Sequence, residues 1–368
     1  MSETFVIDIG HFDELFAILK AHGYQPVGPT VRDGAIFYDE LNSAKELPMG
    51  EADEQEARSY RLRRGSDWAL FDYTSGVQSW KRFLYPADLP VYKLDKNDGD
   101  APVIVAPDPT RRFAFVGVRP CELRAIAIHD RVLLPAEHPD TIYGKLREAV
   151  LLIVVNCTKP GGTCFCTSMS SGPKAVSGFD LALTEVATRD NHFFLVEIGS
   201  TQGADILRRI SHRPAKHDEV TTGERLVAKA QQSMGRFLDT ANIQGLLYGN
   251  TEHPRWEQVA RRCLACGNCT MVCPTCFCTT VEDTTNLAGD QAARTRRWDS
   301  CFSLDFSYIH GGPVRSSTRA RYRHWITHKF AAWIDQFGSS GCVGCGRCIT
   351  WCPVGIDVTE EIRSLRDQ

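Results

Sequence analysis

Two stretches of this chain share one spacing, C-x2-C-x2-C-x3-C-P. The first runs through Cys263, Cys266, Cys269, Cys273 and Pro274. The second runs through Cys342, Cys345, Cys348, Cys352 and Pro353. This spacing is the ligand pattern of paired [4Fe–4S] clusters, and it constrains the fold because both runs must wrap around a compact cubane. In two-cluster ferredoxins the fourth cysteine of each run serves the other cluster. The expected sets are therefore Cys263, Cys266, Cys269 and Cys352 for cluster I, and Cys342, Cys345, Cys348 and Cys273 for cluster II. That exchange would hold the two runs side by side although they lie far apart in sequence. Ala265, Gly267, Gly344 and Gly346 are small enough to let backbone N–H groups approach the sulfides. Pro274 and Pro353 turn the chain away after the last cysteine.

Zinc is the alternative use of so many thiols. Structural zinc sites draw four ligands from two separated pairs. Here each run packs four cysteines into eleven residues and closes on proline, which suits cubanes better than zinc or disulfides.

The 368 residues are enough for two domains. Hydrophobic residues at 43%, charged residues at 24% and a net charge of −3 are ordinary for a water-soluble chain, whereas 15 cysteines are many. The first residues, Met1 to Phe5, lack the basic and apolar pattern of a secretory signal. The longest apolar stretch, Ala149 to Val155, is the length of a strand, so no membrane span is expected. Cysteines in a metal pattern, without export signals, predict a reducing cytoplasm.

Hydrophobic periodicity predicts an α+β chain: an N-terminal mixed α/β domain over 1–215, then an α-helical ferredoxin-like domain over 220–368 holding two [4Fe–4S] clusters. Phe12 to His22 has helical spacing and Gly23 is a stop signal. Thr30 to Leu41 reads as a hairpin turning at Arg32, Asp33 and Gly34. Apolar runs at Trp68–Phe71, Phe113–Val118 and Val150–Val155 predict strands. Phe179–Val186 and His192–Ile198 predict a second hairpin, and Gly203–Ile210 a short helix. Ser211–Gly223 is polar and turn-rich, which places the boundary there. Beyond it the pattern turns helical over Glu224–Leu238, Trp256–Cys263 and His324–Phe337.

Seven cysteines lie outside the two runs. Cys157, Cys164 and Cys166 share one glycine-containing loop, and Cys121 follows a predicted strand, where site residues of open α/β sheets sit. A third cluster held by Cys121, Cys157, Cys164 and Cys166 is one reading; small buried thiols packing under the loop is the other. Cys276, Cys278 and Cys301 either pack beside the clusters or act as alternative ligands. The segment Arg294–Lys329 is basic, with Arg296, Arg297, Arg315, Arg319, Arg321 and Arg323 among its residues. Charge balance for anionic clusters, or a face for a protein partner, explains it better than nucleic acid, because neither net charge nor pI is basic.

Several stretches together resemble the beta subunit of cytoplasmic NAD(P)-linked [NiFe] hydrogenases (the sulfhydrogenase beta subunit) and its relative, the dicluster iron–sulfur subunit of anaerobic sulfite reductase. Both are 4Fe–4S dicluster proteins. The stretches are Gly117–Ile126, Asn156–Pro173, Phe179–Glu185, Cys263–Cys278, Arg297–Cys301, Arg319–Phe330 and Gly341–Pro353. The resemblance covers most of the chain beyond residue 110 and is loose before it. It implies an electron-transfer protein without its own catalytic residues. Its partners in a hydrogenase would be a flavin subunit using NAD(P)H, a small Fe–S subunit and the [NiFe] large subunit. In a sulfite reductase it would serve a sirohaem protein.

Other chemistry finds little support. No G-x-G-x-x-G follows a strand, and no P-loop, H-E-x-x-H or G-x-S-x-G occurs. His310, Gly311 and Gly312 read as a turn. Lys81 and Arg82 read as a solvated surface pair, with phosphate contact as the sharper alternative. The rival functions are a stand-alone Fe–S reductase, like two-cluster cobalamin-dependent tRNA-modifying reductases, and an Fe–S protein acting on nucleic acid.

Overall fold

The computed structural model describes residues 3–66, 68–95, 103–104, 111–135 and 137–366. Its strands are β1 (Thr4–Asp8), β2 (Tyr24–Arg32), β3 (Ala35–Glu40), β4 (Glu51–Glu56), β5 (Ser59–Arg64), β6 (Asp88–Asp95), β7 (Val103–Ile104), β8 (Arg112–Val118), β9 (Val150–Val155), β10 (Leu181–Ala187), β11 (His192–Ile198), β12 (Arg213–Pro214), β13 (Thr279–Thr285) and β14 (Gln291–Trp298), followed by the short pair Tyr308–Ile309 and Gly312–Pro313. An eight-stranded sheet has the order β12-β1-β11-β10-β9-β8-β2-β3. Its middle strands β10, β9, β8 and β2 run parallel, and antiparallel strands extend both sides.

All six residues of β9 are buried. An uninterrupted apolar strand of this kind needs cover on both faces, as parallel strands have. Leu151, Ile153 and Val155 point into a core with Phe12, Phe16, Leu19 and Leu207. Val150, Leu152 and Val154 point into the opposite core with Leu123, Ile126 and Tyr143. The first face is covered by the helices Glu14–Ala21 and Thr201–Leu207, the second by Pro120–Leu133 and Thr141–Glu148.

The β2–β3 hairpin forms where the sequence places it. Arg32 pairs with Ala35, leaving Asp33 and Gly34 as a two-residue loop. Both have positive φ, 49° and 72°, the pair of values a tight I′ hairpin turn requires. Two expectations need correction. Trp68–Phe71 is irregular rather than a strand, because the Glu185 carboxylate accepts from the backbone N–H groups of Leu70 and Phe71 at 2.7 and 2.9 Å and replaces a strand partner. The polar stretch Ser211–Gly223 is not simply a linker. Arg213 and Pro214 pair with β1, and the helix His217–Gln232 begins inside the stretch. The Arg213 guanidinium grips Glu219 in the first turn of that helix. The helix then stops at Gln232 rather than running to Leu238, and Phe237 is exposed.

The cysteine runs each follow a helix. Arg255–Arg262 leads into the first, and its chain turns extended at Cys263. Thr318–Phe337, with a π-turn at His328–Ala332, leads toward the second and ends on Gly338 at φ 66°. The second sheet, β13-β14-β6-β7, joins strands from before and after residue 220. Backbone bonds from Phe165 N–H to Gly344 O (2.8 Å) and Arg58 N–H to Ile349 O (3.2 Å) tie the second run to the N-terminal half. Among the described residues no helix is long and apolar enough to cross a membrane.

Candidate metal centre

The two runs adopt the same local conformation. Ala265 and Gly344 have φ of 51° and 64°, and Gly267 and Gly346 both have 75°. Each pair occupies equivalent positions on either side of the second cysteine. These left-handed residues bend the chain around the thiols, a conformation that costs glycine little and Ala265 more. The bend turns Ala265 N–H onto Cys263 Sγ at 3.4 Å, and Gly344 N–H onto Cys342 Sγ at 3.4 Å. Ile356 N–H donates to Cys352 Sγ at 3.3 Å. N–H groups aimed at sulfur stabilise added negative charge there. Short helices, Asn268–Met271 and Arg347–Thr350, follow Gly267 and Gly346.

Two separate cavities open among these thiols. One is lined by Cys263, Cys266, Cys269, Cys348 and Cys352, with Phe302, Tyr322 and Trp325 among its walls. The other is lined by Cys273, Cys342, Cys345 and Cys348, with Phe165, Trp325, Lys329 and Phe330. Each cavity thus gathers cysteines from both runs: three from the first and two from the second in one, three from the second and one from the first in the other. Among the described residues no three His, Cys, Asp or Glu side chains converge closely enough for a single metal ion. The ligands of a cubane bind different irons and need not converge, so the geometry fits clusters better than mononuclear zinc. None of the 15 cysteines is in a disulfide.

The second cavity is surrounded by buried cations. Lys329 is 6% exposed, and its ammonium lies 3.4 Å from Cys273 Sγ, 3.0 Å from Thr275 Oγ1 and 3.0 Å from Gly341 O. Burial opposes its charge, but Cys273, Cys276 and Cys342 outweigh burial and push its pKa well up. Lys81 corrects the sequence reading: it is buried at 4% exposure, donates to Cys276 O at 2.9 Å and stands 3.7 Å over the Trp298 ring. Burial pulls its pKa down to about 8 against the pull of Cys276 and Cys273. The second run itself carries Arg347, wholly buried and paired with Glu122 at 2.6 Å. Tyr38 donates to the other Glu122 oxygen at 2.6 Å, and Arg347 also donates to Gly76 O and Gln78 O.

Glu122 adjoins Cys121, so this ion pair links the second run to the four N-terminal cysteines. Cys121 lies in the first turn of the helix that follows β8, and Cys157 follows β9, both at the carboxyl ends of parallel strands. Cys157 N–H donates to Pro173 O at 3.0 Å. Cys164 and Cys166 come from the loop pressed against the second run: a Cβ on Gly346 would lie 2.4 Å from Thr163 Oγ1, and one on Gly344 2.5 Å from Phe165 O. Burial pushes all four thiols up, Cys166 to about 12. Cys121 and Cys166 share an apolar cluster with Trp333, Val343 and Cys345. Cys121 and Cys166 are thus buried beside the second cavity, whereas Cys157 and Cys164 are partly exposed.

A family profile described as "4Fe-4S dicluster domain" matches residues 262–356. The chain carries a 4Fe–4S dicluster domain. It is also 29% identical over 363 residues to the sulfhydrogenase 2 subunit beta of Pyrococcus furiosus, covering 97% of this chain and 96% of that one. The resemblance to hydrogenase beta subunits read from the sequence holds along nearly the whole length, including the first hundred residues where the motifs are loose.

The dicluster domain also contains the remaining thiols. Cys276 and Cys278 are half-buried and Cys301 is buried. The basic segment is largely paired. Arg294 binds Asp283, Arg296 binds Asp140, Arg297 binds Asp88 and Glu282, and Arg319 and Arg323 bind Glu252. Arg321 is buried against Phe302 O. Sequence reasoning missed Lys81, Glu122 and Arg347 as members of the site. The signal was the placement of Glu122 beside Cys121 and of Arg347 between two run cysteines.

Proposed function

We propose that this chain is the electron-relay subunit of a soluble NAD(P)-linked [NiFe] hydrogenase complex. Cys263, Cys266, Cys269 and Cys352 would hold cluster I; Cys342, Cys345, Cys348 and Cys273 would hold cluster II. When bound, such clusters supply reversible one-electron transfer. The observation that carries this reading is that each of the two cavities draws cysteines from both runs. The protein's part is to aim N–H groups at the ligand sulfurs, to screen them with Trp325, Phe302 and Phe330, and to place Lys329 against Cys273. Cys121, Cys157, Cys164 and Cys166 are the proposed ligands of a third cluster beside cluster II. The position of Cys121 and Cys157 at the carboxyl ends of β8 and β9, and the burial of Cys121 and Cys166 beside Cys345, support it.

The relative's name, a sulfhydrogenase subunit, supports partners of the hydrogenase type; the proposed ones, in the cytoplasm, are a flavin subunit using NAD(P)H, a small Fe–S subunit and the [NiFe] large subunit. Affinity purification of the tagged chain under anaerobic conditions tests this. A copurifying [NiFe] large subunit is the expected result. A sirohaem protein in its place would move the chain to a sulfite reductase.

A further inference from the structure

One buried amide joins segments that the sequence keeps far apart. Gln55, in β4, is 3% exposed. Its Nε2 lies within hydrogen-bond distance of Asp53 Oδ2, of Thr74 Oγ1 at 2.8 Å and of Ser75 O at 3.2 Å. The Asp53 carboxylate and the Ser75 carbonyl only accept, which fixes the end of the amide that faces them. Its Oε1 accepts from Thr350 Oγ1 at 3.0 Å and from Thr163 Oγ1 at 3.4 Å. The two threonine hydroxyls also lie 2.8 Å apart. Thr163 precedes Cys164, and Thr350 stands between Cys348 and Cys352.

The surroundings leave little slack. A Cβ on Gly162 would lie 2.2 Å from Gln55 O. The same hairpin holds the second run again through Tyr60, whose ring stacks on Trp351 with centroids 5.2 Å apart. A polar network that is buried and fully satisfied rigidifies the segments it joins.

We infer that Gln55 is a positioning residue for electron transfer: its amide fixes the loop of Cys164 and Cys166 against the helix Arg347–Thr350, and so sets the separation between cluster II and the third cluster. This rests on the third-cluster reading above. The step it serves moves one electron within the chain and consumes nothing else. Among the described residues no hydrogen bond joins Gln55 to a cysteine sulfur, so its influence passes through Thr163 and Thr350. Without the amide, those hydroxyls keep each other but lose their tie to β4, and the loop is free to move away from the second run.

The test uses the full chain, purified anaerobically, with its iron counted and its electron paramagnetic resonance recorded after full reduction. Neighbouring reduced centres broaden each other's signals, and the broadening weakens as they separate. Gln55→Leu should lose part of that broadening while iron stays at about twelve per chain, about four per cubane. Thr350→Val should reproduce the loss, and Thr350→Ser, which keeps the hydroxyl, should restore the wild-type spectrum. Gln55→Leu combined with Thr350→Val should do no more than either alone. A lower melting temperature with unchanged broadening would mean a merely structural role and overturn the proposal, as would a Thr350→Ser spectrum matching that of Thr350→Val. If Gln55→Leu does not fold, the Thr350 pair decides. Iron near about eight per chain would remove the third cluster and this inference with it, leaving the dicluster domain intact; about twelve irons with broadening indifferent to Gln55 would overturn the inference alone.

Discussion

The two cysteine runs share spacing, turns and N–H···S bonds, yet their surroundings differ. The first cavity reaches the surface: Cys266 is exposed and Leu264 beside it is 63% exposed. Its walls are aromatic, and no lysine lines it. The second cavity has no exposed cysteine, and Lys329 and the wholly buried Arg347 stand against its thiols. A local motif specifies ligands. The rest of the fold decides solvent access and charge, which set reduction potential. The inner centre, with cations offsetting its negative charge, should therefore be easier to reduce, and the outer one should be where a partner docks.

Removing a ligand breaks the comparison most severely. Cys345→Ala should remove the inner centre, with a loss of about four irons, and abolish electron transfer between partner subunits. Each isolated catalytic subunit should keep its half reaction; iron analysis and coupled assays check this. Glu122→Gln leaves the Arg347 guanidinium buried without its carboxylate, a change of about 3–5 kcal/mol. Denaturant melts should show that loss, with the inner centre bleaching before the outer one. Lys329→Met removes the ammonium at 3.4 Å from Cys273 Sγ. It should lower the inner potential by on the order of 60 mV, a tenfold change for one electron, and leave the outer one in place. Leu264→Ser should weaken partner binding about tenfold, or ~1.4 kcal/mol, with both potentials unchanged; equal effects of Leu264→Ser and Lys329→Met on potential would erase the inner–outer distinction.

The smallest effect concerns acid. Burial holds the stacked His324 and His328 rings near a pKa of about 4, below the ordinary 6.5. The unfolded chain takes up these protons first as pH falls. Stability contributed by the neutral rings is present above pH 6.5 and is lost on acidification toward 4. His324→Gln with His328→Gln should flatten that decline in melting temperature.

Much of this was legible in the sequence because it is encoded locally. The cysteine spacing carries the expected dicluster pattern, and the Asp33–Gly34 turn and the apolar run of β9 state their elements in adjacent residues. What stayed hidden depends on residues far apart in the chain. Trp68–Phe71 has strand composition, but a carboxylate from β10 takes its N–H groups. Lys81 looks solvated beside Arg82, yet the C-terminal half closes over it through Trp298 and Cys276. The pairing of β6 with β14 likewise joins segments that no local pattern connects.

The central claim is that two unlike iron–sulfur centres sit in this chain, held by thiols exchanged between the runs. A redox titration of the anaerobically purified protein, followed by visible absorption and electron paramagnetic resonance, tests it most directly. Two reversible one-electron transitions are expected, with the higher one moving when Lys329 is replaced. Colourless protein carrying stoichiometric zinc, or bound iron that never reduces, would contradict it.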